Sequence, residues 1–212
     1  MGGKTISRWV GLAAVLGGLL WLPHAVFEML EPWGPATEYR DDLQYQLILD
    51  TPLFVAYSLP GALALLLTSI ALSLLTGALR LPVDGVGRVG VILARIAAGL
   101  AVLSLAGIAV LFAPLFVGGL VIGSLALAAG TLMLGITASE PTGSGLWSID
   151  MLLLGLLGLL MLPLRPLVYA AGLVPNWAGA AIIALFGLGW TALGLALAAR
   201  GAPGDSVYGQ GR

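Results

Sequence analysis

Long apolar runs separated by short polar ones set the layout of this chain. Six runs of mostly apolar residues fall at 9–29, 52–76, 89–113, 115–138, 149–172 and 177–199. A helix needs about 20 such residues to cross the hydrocarbon of a bilayer. Each run is predicted to be helical, because lipid offers no partner to a free backbone amide. The expected fold is therefore all-α, an integral membrane bundle of six transmembrane helices in one domain over residues 1–200, with a tail at 201–212 expected to be disordered. The fifth run is the irregular one. Pro163, Arg165 and Pro166 interrupt it, so residues 163–175 either complete the span or form an interfacial segment.

Within the runs, small residues recur at helical spacing. Ala180, Ala184, Gly187, Thr191, Gly194 and Ala198 mark one stripe. Gly119, Gly123, Ala126 and Gly130 mark a second, and Gly61, Ala64, Thr68 and Ala71 a third. In lipid there is little hydrophobic force between helices, and small residues let backbones approach instead. These stripes are read as packing seams, the alternative being a narrow permeation path lined by small residues. Pro23 and Pro60-Gly61 should bend their helices. Trp9, Trp33, Trp147 and Trp177 fall at span ends as interfacial anchors, whereas Trp21 and Trp190 fall inside and should pack.

Charge gives the orientation. Lys4, Arg8, Arg80, Arg88, Arg95, Arg200 and Arg212 collect on one side of such a bundle, and only Arg40 and Arg165 on the other. Basic residues stay cytoplasmic, which puts both termini inside and the polar 30–51 segment outside. That loop is acidic. Within it, Glu38 to Leu49 is expected to form a short amphipathic helix, with Tyr39, Leu43 and Leu47 on one face. Thr51 is expected to cap the second span, with Pro52 as its first helical residue. The first span follows Lys4 and Arg8 and lacks an A-x-A-like cleavage pattern, so it is expected to remain attached.

Composition narrows the function. Hydrophobic residues make up 59% of the chain and charged residues 9%, with mean hydropathy +1.06. A water-soluble surface needs about 25% charge, so the first partner is the lipid bilayer. A net charge of −1 argues against nucleic acid. Without cysteine there is no disulfide and no thiolate chemistry. Lys4 is the sole lysine and His24 the sole histidine, which argues against a retinal Schiff base and a bis-histidine haem. No cofactor is expected.

The candidate chemistry gathers near one loop. His24, Glu28 and Glu31 are spaced i, i+4, i+7 and share a helix face. An imidazole with two carboxylates could hold a divalent cation, or His24 and Glu28 could work as an acid–base pair. The alternative is a set of ordinary polar groups at the lipid–water boundary. Glu38, Asp41, Asp42 and Asp50 make the outer loop able to concentrate cations, or leave it simply solvated. Arg95 and Arg165 are the basic residues nearest the bilayer core, and both are expected to snorkel to headgroups. Asp150, after Ser148, suits a helix start.

RWVGLAAVLGGLLW near the start and NWAGAAIIALFGLGWTALGLAL near the end resemble the small six-span hypothetical proteins common in high-GC bacteria. That resemblance implies a multi-pass protein of the cytoplasmic (inner) membrane and transfers no site residues. The leading functional expectation is a non-enzymatic accessory or interaction subunit that meets other membrane proteins. A small transporter or channel for a cation or small apolar solute is the first alternative. A membrane enzyme or metal site built on His24 and Glu28 is the second.

Overall fold

The computed structural model describes residues 3–30, 36–41, 45–79, 85–138, 149–160 and 176–200. Over these it is an all-α bundle of α1 (Gly3–Leu30), α2 (Thr51–Leu79), α3 (Gly85–Ala109), α4 (Ala113–Ala138), α5 (Ile149–Leu160) and α6 (Asn176–Arg200). Two strands, β1 (Thr37–Arg40) and β2 (Tyr45–Ile48), stand between α1 and α2. All these helices except α5 are long and apolar enough to cross a membrane. The architecture is that of a membrane-embedded helical protein. The described part of α5 rises about 18 Å, and residues 163–175 lie outside the described residues.

Close approaches between backbones fix the packing. On α1 and α6 the glycines face each other in pairs. A methyl group on Gly11 would meet the Gly194 carbonyl oxygen at 2.8 Å, and one on Gly194 would meet the Gly11 carbonyl at 2.6 Å. Gly18 and Gly187 repeat this at 2.5 and 2.7 Å. The α3–α4 pair is similar, with Gly90 against Gly130 and Gly119 against Leu100 and Ser104. Across it the Ser104 hydroxyl donates to the Phe116 carbonyl at 3.1 Å. On α2, Thr68 meets Gly17 of α1, while Leu65 meets Gly123 of α4. The three small-residue stripes are thus seams between helices.

These contacts make chain neighbours antiparallel. Gly17 lies beside Thr68 and His24 beside Gly61, so α1 and α2 run oppositely. Gly135 beside Leu152 and Gly158 beside Ala128 do the same for α4 and α5. Gly158 beside Phe186 and Gly189 beside Leu154 set α5 against α6. The ring closes where α6 returns antiparallel to α1, which brings the start of α1 and the end of α6 to one end of the bundle. Helix α3 packs on α2 and α4. Trp21, Phe186, Trp190, Leu65, Leu72, Leu127, Leu134 and Met151 are all fully buried and fill the bundle.

Three expectations need correction. Residues 38–41 and 45–49 do not form the expected amphipathic helix, and 42–44 lie outside the described residues. They belong to an antiparallel hairpin that pairs Thr37 with Ile48, Glu38 with Leu47, Tyr39 with Gln46 and Arg40 with Tyr45. Thr, Tyr and Ile favour strands, and the Ala36 carbonyl closes the base by accepting from the Leu49 and Asp50 amides at 2.7 and 3.3 Å. Ile48 packs on the core, and β2 lies against α4. Second, the cap of α2 is Asp50, not Thr51. Its carboxylate accepts from the Leu53 amide at 3.0 Å, and its carbonyl accepts from Phe54 at 2.9 Å. An ionised cap accepts more strongly than a hydroxyl and faces the positive end of the helix. Third, α3 starts at Gly85, four residues before the expected 89, which sets Arg95 deeper along its helix.

The turn from α3 to α4 takes three residues. The Phe112 amide donates to the Gly107 carbonyl at 2.8 Å and the Leu111 amide to Ile108 at 3.2 Å. This is the paired pattern of a Schellman ending, in which the left-handed position is usually glycine. Here Leu111 takes it, at φ 55°. Both α1 and α2 continue as helix through Pro23 and Pro60.

Candidate functional site

The site sits in the half of α1 nearest the hairpin. The i, i+4 spacing lays Glu28 one turn beyond His24, with His24 Nε2 3.7 Å from Glu28 Oε1. That is ion-pair range and longer than a hydrogen bond. Both residues are withdrawn from the surface, His24 being 1% exposed and Glu28 7%. Both are packed inside the bundle rather than exposed on its surface.

What lets an imidazole into this bundle is a glycine. A methyl group on Gly61 would stand 2.8 Å from His24 Nδ1, 2.9 Å from Cε1 and 3.0 Å from Cγ. Pro60-Gly61 was expected to bend α2. Its glycine opens a notch in the α2 surface, and the ring of His24 lies across it. Trp21 closes the other side, its ring centroid 5.7 Å from that of His24. Phe186 follows at 5.6 Å from Trp21 in an edge-on contact, and Trp190 at 6.3 Å from Phe186. One turn nearer the hairpin, Phe27 packs on Tyr57 at 5.4 Å.

Further polar atoms are buried on α1, α2 and α6. Ser58 is fully buried on α2, one turn from Gly61, and its Oγ has no hydrogen-bond partner among the described residues. The indole nitrogens of Trp21 and Trp190 are likewise buried and unpartnered among those residues. Such groups are uncommon in packed interiors. In this apolar setting the charges of a His–Glu pair act over longer range than in water.

The other candidates separate. Glu31, Asp42 and Arg165 lie outside the described residues. Asp41 is exposed after β1, Glu38 is exposed on β1, and Asp50 serves as the cap of α2. Arg95 is exposed on α3, and Asp150 is exposed in the first turn of α5, where the helix dipole favours it. Among the described residues no three of His, Asp and Glu gather as metal ligands. Two of the three proposed ligands, His24 and Glu28, do stand together. Sequence reasoning missed Ser58, Tyr57 and the notch at Gly61. The i, i+3 spacing of Ser58 and Gly61, on a helix following the histidine's own, was the available signal.

No protein-family model, curated protein or solved structure matches the chain.

Proposed function

We propose that this is a multi-pass protein of a bacterial inner membrane, with six spans, both termini cytoplasmic and the hairpin segment outside. Within that frame it acts as a non-enzymatic accessory or interaction subunit, with the outer segment as its recognition surface. One observation carries this reading. The bundle is filled between its helices by Trp21, Phe186, Trp190 and the leucines around them, and its seams close to glycine backbone contact. A permeation path needs polar-lined space where these side chains stand. The antiparallel return of α6 onto α1 supports an even number of crossings, with α5 as the fifth, and the bias of seven basic residues against two supports the orientation.

Two measurements test it. Purification from the native membrane should bring a second membrane protein at fixed stoichiometry. A chain that purifies alone and conducts ions in liposomes would overturn the subunit reading. Because the chain has no cysteine, Asp41→Cys and Ser206→Cys report topology cleanly. An impermeant maleimide added to intact spheroplasts should label the first and spare the second, and the reverse result would invert the orientation.

A second reading rests on the burial of His24 and Glu28. Ionisable groups inside a span commonly mark an ion or proton path. A small proton-coupled transporter would use the pair as its proton site, and proton uptake into proteoliposomes would then vanish in Glu28→Gln. Flux indistinguishable from protein-free vesicles would sink this reading.

A further inference from the structure

The subunit reading leaves open which surface meets the partner inside the bilayer, and α3 supplies a candidate. Arg88, Ile92, Arg95, Gly99, Val102 and Ala106 form a single exposed row on α3, away from α2 and α4. Arg95 is the eleventh of the 25 residues of α3. Its Cα stands about 15 Å from the start of the helix and about 21 Å from its end. Exposed Val86 and Val89 lie on one side of it, and exposed Ile96 and Val102 on the other. The arginine therefore leaves the helix within a belt of aliphatic side chains. An arginine side chain spans roughly 7 Å, which leaves the charge about 8 Å short of the level of Gly85. A charge at such depth is costly unless paired. Among the described residues α2, α3 and α4 carry no carboxylate.

Beside the arginine the surface is open. A methyl group on Gly99 would meet nothing within 4 Å. Gly99 and Ala106, seven residues apart on the row, are small enough for another helix backbone to come close.

The geometry points to this face of α3 as the docking site for a transmembrane helix of a different protein, one that carries an Asp or Glu level with Arg95. The guanidinium fork takes a carboxylate through two parallel hydrogen bonds, the strongest polar contact a bilayer interior offers. Among the described residues a second copy of this chain offers no exposed carboxylate at that level: Glu28 is buried, Glu38, Asp41 and Asp50 belong to the hairpin end, and Asp150 to the start of α5. The inference rests on the subunit reading.

The test uses the full chain, fluorescently labelled, in phosphatidylcholine vesicles. The probe is a Leu-Ala peptide of about 20 residues with one central Glu, compared with the same peptide carrying Gln. Energy transfer should show the Glu peptide bound about tenfold more tightly. Arg95→Gln should abolish that preference with the melting temperature unchanged, as suits an exposed residue, and Gly99→Leu should weaken both peptides. Equal binding of the two peptides, or a preference that survives Arg95→Gln, overturns the proposal. So does an Arg95-dependent retention of phosphatidylglycerol without any Glu preference, which would make a lipid phosphate the occupant. A native partner that stays bound to Arg95→Gln sinks this docking site and leaves the subunit reading standing. Absence of any native partner sinks the subunit reading while the peptide result stands by itself.

Discussion

Helix α1 is built on two opposite plans. From Gly11 to Gly18 it is stripped of side chains where it meets α6, and these two glycines lie against Gly194 and Gly187 with no room for a methyl group on either side. Its second half carries the most polar buried pair among the described residues, His24 and Glu28, and the space for them is removed from α2 at Gly61. The same small residue does different work at the two ends. In the first arrangement paired glycines bring backbones together. In the second, one unpaired glycine makes room for a functional group. Tight van der Waals packing explains the first arrangement as stability. The second has a polar cost that packing alone does not explain.

Substitutions can break or sharpen this contrast. Gly187→Leu should have the largest effect, because even its Cβ would lie 2.7 Å from both the Gly18 carbonyl oxygen and Trp21 Cβ. A loss of about 3 kcal/mol or more, read as failure to survive detergent extraction as a monodisperse species, is expected. Unchanged thermal stability would remove the seam from the argument. Gly61→Ala should cost about 2 kcal/mol, and the cost should largely disappear in the His24→Ala background, since the ring is what the new methyl meets. A double-mutant cycle measures this coupling, and additive losses would mean that Gly61 is not the notch for His24. Glu28→Gln keeps the shape and removes the carboxylate, so a change of about 1 kcal/mol in unfolding by Trp fluorescence is expected. Smallest is Asp50→Ala, at about 0.5–1 kcal/mol for a lost cap. It lies off α1, and an effect as large as that of Gly187→Leu would show that the hairpin end, and not the glycine seam, governs stability.

Much of the bundle was legible in the sequence because one force dominates it. Unpaired backbone groups are so costly in lipid that apolar run length reads directly as helix, and 52–76, 115–138 and 177–199 lie within Thr51–Leu79, Ala113–Ala138 and Asn176–Arg200. The seams were legible for a related reason, since in lipid small residues at steps of three and four mark close approach. The hairpin was not. Outside the spans water can satisfy the backbone, so hydropathy stops deciding between helix and strand. There the spacing of Tyr39, Leu43 and Leu47 suggested a helix while Thr37–Arg40 and Tyr45–Ile48 paired as strands. The candidate site was half legible. Spacing joined His24 to Glu28, but their burial depends on a glycine 37 positions beyond the histidine, and no local pattern on α1 announces it. Arg95 was seen as a charge near the core, and its depth waited on the true start of α3.

The three-residue turn at Val110, Leu111 and Phe112 has a consequence for biogenesis. It carries no charge and no long polar stretch, so nothing costly must be translocated for α3 and α4 to enter the membrane as a single hairpin. The segment between α1 and α2 differs: in the orientation proposed above, Glu38, Arg40, Asp41 and Asp50 would all be carried across. With Arg165 as the one later charge on that side, most of the insertion work falls in one early step. In that orientation a nascent chain whose α2 has fully left the ribosome should already hold the first loop across the membrane, as protease protection would reveal.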